Sequence, residues 1–294
     1  MADKKIEIKD IPVMPQVATK ILLLKEENLE ISFKELGNII LLDPALTTKI
    51  LKVSNSALYA RQREIINLQQ AITLLGFQTV KSLVLLICAS NIFGKLKRKN
   101  LIRSGLSKTR SSEVDIWRHL VLTAFVAKNL ATKLQYDQKK EDMFIAGMLH
   151  DIGRIVLLMN DYEGYNNFLE IMGREPERDI LAIEESIFGY DHAEVGKNLL
   201  QKWNFPEELI DTVYQHHSGD IDSPHRKMVL IVALANIYSR ILVDEPLPSH
   251  DIQMKEDYIK ALSLAQDIDE YFTMHFLEDI KGDDLFNMSS DIIK

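Results

Sequence analysis

The sequence predicts an all-α protein. Apolar residues recur at helical spacing along most of the 294 residues, capping residues precede several of these runs, and no alternation of period two persists. An apolar fraction of 46% and a charged fraction of 27% are ordinary for a globular chain, and this length can bury a substantial core in one large or two smaller domains. We therefore expect a multi-helical bundle.

Several helices are predicted in the first third of the chain. A capping-box pattern opens one helix at Ser32, and Asp43 followed by Pro44 at the first helical position opens the next. Gly76 is a natural stop for the run LQQAITLLG. The next run, TVKSLVLLICASNIFG, is apolar almost all round and ends on Gly94, which predicts a buried helix.

A basic stretch, KLKRKNLIRSGLSKTRSS, covers residues 95–112 and shows no clear period. Its Lys, Arg, Ser and Gly content is typical of a solvated linker, and we predict that it joins two helical halves. The alternative is a docking patch for an acidic partner or a nucleotide, because its positive charges are clustered.

Helical patterns resume in the second half, over residues 113–240. Asp191 is the predicted cap of DHAEVGKNLLQKW, Pro206 lies near the first turn of FPEELIDTVYQHH, and Ser223 is the predicted cap of SPHRKMVLIVALANIYSRIL. Residues 241–294 alternate acidic and apolar positions, and DIDEYFTMHFLEDI is amphipathic, which predicts a C-terminal helical extension.

Composition disfavours several functional classes. The net charge of -8 argues against general nucleic-acid binding, and a helix-turn-helix reading of FKELGNIILLDPALTTKIL is disfavoured because its second helix carries only Lys49 and Lys52. The single cysteine, Cys88, rules out a disulfide framework. The N-terminus lacks the apolar core of a signal peptide, and the apolar run 83–89 is far shorter than a bilayer span. We expect a cytoplasmic protein that does not enter a membrane.

A set of candidate metal ligands lies in the second half of the chain. It comprises His119, His150, Asp151, His192, His216 and His217. Imidazole nitrogen and carboxylate oxygen suit divalent Fe, Mn or Zn. An adjacent His-Asp pair at a helix end can splay around an ion, with the carboxylate bridging two metals that activate water and clamp a phosphoryl group. One histidine on an apolar helix face is more often a hydrogen-bonded core residue, but the ordered set favours a site. The other histidines, in polar surroundings, are predicted surface or packing residues: His225, His250 and His275.

Several stretches together form a pattern much more specific than the His-Asp pair alone. They are IPVMPQVATKIL, IILLDPALTTKILKVSNSALY, QQAITLLGFQTVKSLVL, AGMLHDIGRIVLL and FGYDHAEVGKNLLQKWNFPEEL, followed by the paired histidines. From residue 11 to about 240 the chain resembles the HD superfamily of metal-dependent phosphohydrolases, and more closely its HDOD branch. The resemblance implies an N-terminal helical half (11–94) packed against an HD-like half (113–240). It also implies a bacterial signalling module, a type often found beside cyclic-dinucleotide domains.

Two positions depart from the HD hydrolase pattern. Asn236 stands at the best match for the later aspartate that closes a minimal HD metal site, and a neutral amide binds a cation far less well than a carboxylate. Arg154 replaces the lysine of related cyclic-di-GMP phosphodiesterases, and their GYP stretch is absent. Arg154 can hold a phosphate bidentately or form a structural ion pair, of which the ion pair is favoured.

The favoured functional prediction is a non-catalytic signal-transduction or regulatory module of HDOD type, with a degenerate HD metal site and protein partners. The alternative is a metal-dependent phosphohydrolase or phosphodiesterase acting on a nucleotide or cyclic dinucleotide. In that case Asp151 bridges the metals or orients the nucleophile, and Arg154 holds the phosphate. A third possibility is a sensor whose vestigial pocket binds a nucleotide without turnover.

Overall fold

The structure of the protein is a computed structural model. It describes residues 5–24, 29–55, 65–104, 112–265, 267–282 and 286, with the backbone alone for residues 29–32, 93 and 95–104. All regular structure in these residues is helical and no strand occurs among them, which confirms the all-α prediction. The chain divides into two compact units, one from residues 1–12 and 109–277 and one from residues 13–108 and 278–294.

The helices before residue 105 are short except for the last. They are α1 (Gln16–Leu23), α2 (Leu29–Leu41), α3 (Pro44–Ser54), α4 (Leu68–Leu75) and α5 (Phe77–Ser104). Side chains cap α3 and α4, because Asp43 Oδ1 accepts from Leu46 N at 3.0 Å and Asn67 Oδ1 accepts from Gln70 N at 2.9 Å. Gly76, with a φ of 83°, separates α4 from α5 in a backbone conformation that favours glycine.

Two predicted boundaries in this region are wrong. Helix α2 begins at Leu29, so Ser32 lies inside the helix rather than at its cap. Helix α5 continues through Gly94 to Ser104, because a single glycine within a helix costs only about 1 kcal/mol and does not have to end it. The predicted basic linker is therefore helical over residues 95–104, and residues 105–111 lie outside the described part of the chain.

The remaining helices of the described residues follow residue 111. They are α6 (Ser112–Lys133), α7 (Lys140–Leu149), α8 (Ile152–Asn160), α9 (Tyr162–Arg174), α10 (Ile180–Phe188), α11 (His192–Lys202), α12 (Glu207–Gln215), α13 (Arg226–Ile241), α14 (Ser249–Ala261), α15 (Ile268–Tyr271) and α16 (Met274–Lys281). Helix α6 contacts α7 and α13, α8 packs on α11, and α11 also contacts α12. Trp117, Phe144 and Leu157 are buried at the centre of these contacts.

The predicted starts of α11 and α13 have different outcomes. Asp191 caps α11 as predicted, since its Oδ1 accepts from Glu194 N at 2.7 Å. Helix α13 begins later than predicted, and its N-cap residue is His225 rather than Ser223. The Ser223 hydroxyl instead accepts from His225 N at 2.9 Å and donates to Asp211 Oδ2 at 2.5 Å, so it stabilises the preceding turn.

The described part of the C-terminal extension contains helices α14, α15 and α16, so DIDEYFTMHFLEDI forms two helices rather than one. Helix α14 packs on α13, and Tyr238 of α13 donates a hydrogen bond to Asp269 Oδ1 at 2.6 Å. Lys255 of α14 also reaches Asp269, at 2.7 Å, so one carboxylate links three helices.

No single helix in the described ranges is long and apolar enough to cross a bilayer. Helix α4 together with residues 77–92 of α5 passes that test of length and composition only as a pair bent by 111°.

Candidate metal centre

The predicted ligands come from the ends of four helices and the inward face of a fifth. His150 follows the last residue of α7, and Asp151 precedes the first residue of α8. His192 is the first residue of α11, and His216 with His217 follows α12. His119 lies within α6. The helix break between His150 and Asp151 allows the two neighbouring side chains to point toward one place, which a continuous helix would prevent.

Two glycines allow the helices that carry these residues to approach closely. A Cβ atom on Gly153 of α8 would lie 1.9 Å from the carbonyl oxygen of His192, and one on Gly147 of α7 would lie 2.6 Å from Ala124 Cα. Any side chain at either position would push the paired helices apart. Glycine therefore holds the His-Asp pair against the first turn of α11 and the inward face of α6.

Four imidazole Nε2 atoms converge on the Asp151 carboxylate. His192 Nε2 lies 2.9 Å and His216 Nε2 lies 3.3 Å from Asp151 Oδ1. His150 Nε2 lies 3.6 Å from the same oxygen, and His119 Nε2 lies 3.6 Å from Oδ2. His150 and His192 are completely buried, and Asp151 is 1% exposed. The six predicted ligands are thus brought together, since His217 joins the group formed by Asp151, His192 and His216.

The second ring nitrogen of each converging histidine has its own hydrogen-bond acceptor. Nδ1 of His150 lies 2.8 Å from the carbonyl oxygen of Gly147, and Nδ1 of His216 lies 2.8 Å from that of Val213. Carbonyl oxygens only accept, so these Nδ1 atoms carry protons, and in the neutral rings Nε2 holds a lone pair.

A hydroxyl relay orients His119 in the same way. Thr123 donates to Ser239 Oγ at 2.9 Å, and Ser239 donates to the carbonyl oxygen of Asn236 at 2.8 Å. The Ser239 oxygen is then left to accept from His119 Nδ1, 3.3 Å away. Metal-binding histidines typically have such an acceptor behind them, which fixes the tautomer that presents the lone pair.

This arrangement fits a divalent cation. Nε2 of His119 and Nε2 of His150 lie 3.2 Å apart with both Nδ1 atoms donating elsewhere, so two lone pairs face each other. His217 Nε2 is buried without a hydrogen-bond partner in the described residues, and Asp151 Oδ1 has imidazole Nε2 atoms as its nearest polar neighbours. Buried polar atoms in proteins are nearly always satisfied, and a cation would satisfy these atoms together.

Glu184 of α10 is a site residue that the sequence interpretation missed. Its Oε2 accepts from His192 Nδ1 at 2.6 Å and from His192 N at 2.8 Å, and its side chain is fully buried. A weak sequence signal exists, because Glu184 lies one turn before Phe188 on the apolar face of α10, where an isolated carboxylate needs a partner.

Arg154 forms the ion pair that the sequence favoured. Its Nε lies 3.1 Å from Asp151 Oδ2 and 3.6 Å from Glu184 Oε1. The guanidinium therefore lies between the two carboxylates of the cluster. Buried ionised groups need such compensation, since removing one partner leaves an unpaired charge at a cost of about 3–5 kcal/mol.

Burial and charge separate the pKa values of the cluster. Burial lowers the pKa of His119 to about 4, and it lowers the pKa of His150 and His217 well below the usual value, although Asp151 opposes this. Burial by itself favours the neutral forms of Asp151 and His192, but the charges around each of them have the larger effect and favour its ionised form. Arg154 and the histidines hold the pKa of Asp151 well below its ordinary value, while Glu184 and Asp151 raise that of His192 to about 9. The two carboxylates beside His192 therefore favour its protonated form when no metal is bound.

Asn236 is 5% exposed on α13 and lines a cleft of about 300 Å³ together with His119, Asp151 and Arg154. The predicted position of the missing carboxylate is thus adjacent to the cluster, and a neutral amide occupies it. The remaining histidines lie elsewhere: His250 and His275 are exposed, and His225 is half-buried at the start of α13.

Comparisons with known proteins identify the family of this chain. The HDOD domain profile matches residues 11–219. An uncharacterized protein of Treponema pallidum (strain Nichols) is 26% identical over 243 residues, which are 81% of this chain and 44% of the relative. The chain thus spans less than half of that relative.

Solved structures share the helical fold. One from Marinobacter aquaeolei VT8, described as a candidate signal transduction protein, has a TM-score of 0.74 at 18% identity and covers 99% of this chain and 63% of its own. One from Shewanella amazonensis SB2B, described as a candidate phosphohydrolase, has a TM-score of 0.68 at 19% identity. The match covers 97% of this chain and 95% of the Shewanella chain. Because the profile match extends over well more than half of the residues, the chain belongs to the HDOD domain family.

Proposed function

We propose that the protein is a non-catalytic HDOD signal-transduction module that acts through protein partners. Its His-Asp cluster serves as a structural centre that binds one divalent metal at most. The observation that carries this proposal is the neutral Asn236 amide, which lines the cleft together with His119, Asp151 and Arg154.

The two carboxylates of the cluster are compensated by positive groups that the chain itself supplies. Asp151 and Glu184 supply two negative charges, and Arg154 and the His192 imidazolium supply two positive charges. One divalent ion that displaced the His192 proton would leave one excess positive charge, and two ions would leave three. Excess charge in a buried site is costly, so the cluster favours one ion or none.

Hydrolysis by the two-metal route requires both ions, one on each side of the phosphoryl group. Asn236 contributes no charge that would help to hold a second ion, and Arg154 is already engaged by Asp151 and Glu184. The fold and cluster therefore support a regulatory role, in which the buried polar network holds α6, α8 and α11 in a single arrangement.

The decisive experiment measures metal content and hydrolysis on the same protein, purified without chelators or a metal-carrying tag. We expect one equivalent or less of Fe, Mn or Zn, and no hydrolysis of bis(p-nitrophenyl) phosphate or cyclic dinucleotides when Mn²⁺ is added. Two equivalents of metal, with hydrolysis that Asp151→Asn abolishes, would refute the proposal. A pull-down from the native cell that recovers no specific partner would count against the signalling role.

A metal-dependent phosphohydrolase is the second candidate, and one observation favours it. The cleft reaches His119, Asp151 and Arg154, so a phosphate ester could approach the cluster. A bound metal would supply a Lewis acid and an activated water in such a reaction. Arg154 would then orient the phosphate, and Asp151→Ala should remove all measured hydrolysis. Hydrolysis that persists in Asp151→Ala would exclude this candidate.

A further inference from the structure

The cleft beside the cluster has a strongly apolar wall. Helix α9 contributes Leu169 and Met172, and α10 contributes Ile180. Leu169 lines the cleft and is 43% exposed, so part of this apolar wall is accessible to a ligand. The volume of about 300 Å³ lies at the lower end of the roughly 300–1,000 Å³ that is typical of small-molecule sites. The cleft therefore has room for one compact ring system.

The charges around the cleft disfavour phosphate groups. Asp115, Asp151 and Glu245 line it, and its two arginines are both neutralised by carboxylates. Arg240 reaches Asp251 and lies 3.4 Å from Glu245, and it also donates to the carbonyl oxygen of Pro246 at 3.1 Å. Arg154 lies between the carboxylates of Asp151 and Glu184. A ligand that brought two further negative charges would therefore meet a net acidic surface.

The base of the cleft nevertheless presents groups that need hydrogen-bond partners. The Asn236 side chain lines it and makes no hydrogen bond to any residue that the structure describes. An amide offers a donor and an acceptor side by side. The Arg154 side chain lines the cleft and is 17% exposed, and its Nη groups make no hydrogen bond to a residue that the structure describes, so they can donate to a ligand. These groups match a molecule with ring nitrogens or carbonyl oxygens along one edge.

We propose that this cleft binds an uncharged planar heterocycle, of the size of a nucleobase or a nucleoside. Its apolar face lies on the wall formed by Leu169 and Met172, and its hydrogen-bonding edge meets the Asn236 amide and the Arg154 donors. The inference goes beyond the signalling role proposed above and requires neither a bound metal nor a protein partner.

Matched ligand pairs test the proposal directly. Adenosine, guanosine, cytidine and uridine are titrated into the purified full-length chain by calorimetry, each beside its 5′-monophosphate, with the metal content measured beforehand. We expect at least one nucleoside to bind with a Kd below about 1 mM, and its monophosphate to bind at least tenfold more weakly. Equal or tighter binding of the monophosphate would overturn the proposal, as would the failure of all four nucleosides to bind.

Variants locate the binding in the cleft. Asn236→Ala removes the amide edge and should weaken the best nucleoside at least tenfold, because a lost polar partner leaves ligand groups unsatisfied. Gln253→Ala, at an exposed position on α14, is the matched control and should bind as the wild type does. Met172→Trp fills the cleft from its wall and should abolish binding, which provides an independent test if Asn236→Ala unfolds. Unchanged binding in a folded Asn236→Ala or Met172→Trp would contradict the proposed location.

Discussion

The Glu184→Gln substitution tests the charge balance of the buried cluster. It preserves the shape of the side chain and leaves an oxygen that can accept from His192 Nδ1 and N, the two contacts of 2.6 and 2.8 Å. It removes one of the two negative charges that compensate Arg154 and the His192 imidazolium. It also places an amide NH₂ near Arg154 Nε, where the carboxylate oxygen lies at 3.6 Å.

The expected cost is about 3 kcal/mol, the lower end of the range for breaking a buried ion pair, because Asp151 still compensates Arg154. For a unit of this size, 1 kcal/mol corresponds to roughly 2–4 °C, so the Tm of the unfolding transition of this unit should fall by about 6–12 °C. The assay is differential scanning calorimetry of metal-free protein at pH 7. Glu185→Gln is the control, since Glu185 is the next residue of α10 and is exposed. Equal Tm values for the two variants would refute the charge argument.

Three further predictions concern other parts of the chain. The Asn236→Asp variant should bind Mn²⁺ at least tenfold more tightly than the wild type, because the substitution adds a carboxylate beside the candidate ligands. Calorimetry measures the affinity, and an unchanged value would show that the missing carboxylate does not limit metal binding. Tyr238→Phe should cost about 1 kcal/mol of unfolding free energy at pH 7. Partial burial raises the pKa of Asp269, but hydrogen bonds from Lys255 and Tyr238 outweigh it, so the pKa is lower in the folded than in the unfolded protein. The stabilisation is therefore fully present above the unfolded pKa, near 3.8, and is lost as the pH falls through the folded pKa. Urea titrations should therefore differ between variant and wild type at pH 7 and converge in strong acid. Burial raises the pKa of Cys88 to about 12 from 9.0, so iodoacetamide should label the native thiol roughly a thousandfold or more slowly than the denatured one, and comparable rates would contradict its burial.

Local patterns were sufficient for much of the helical fold. The predicted caps at Asp43 and Asp191 are present, because a capping side chain bonds to a backbone amide only three residues away. Gly76 ends α4 for an equally local reason. The capping pattern predicted the first residue of a helix less well where neighbouring residues could also begin it. The predicted cap at Ser32 lies within α2, and the predicted cap at Ser223 precedes the start of α13. Local preferences at such positions are small compared with the packing that selects the boundary.

The candidate ligands were proposed from the sequence because several imidazole groups and a carboxylate recur in order within apolar helical segments, where each needs a polar partner. Their order and the surrounding stretches predicted the HDOD family. The sequence also predicted that Asn236 stands where a carboxylate would otherwise complete the site, and in the structure Asn236 lines the same cleft as His119 and Asp151.

Only the tertiary structure decided how those groups are oriented and compensated. His119 is oriented by Ser239, which lies 120 residues later in the chain, and His192 is held by Glu184 of a different helix. Such contacts depend on which helices approach each other and at what separation, as at Gly153, and no local pattern encodes them. Charge compensation in a buried site depends on distances between distant parts of the chain, because the interaction of two charges is set by their separation and surroundings. The sequence by itself therefore determined which chemical groups are present, and the packing of the helices determined which charged groups meet.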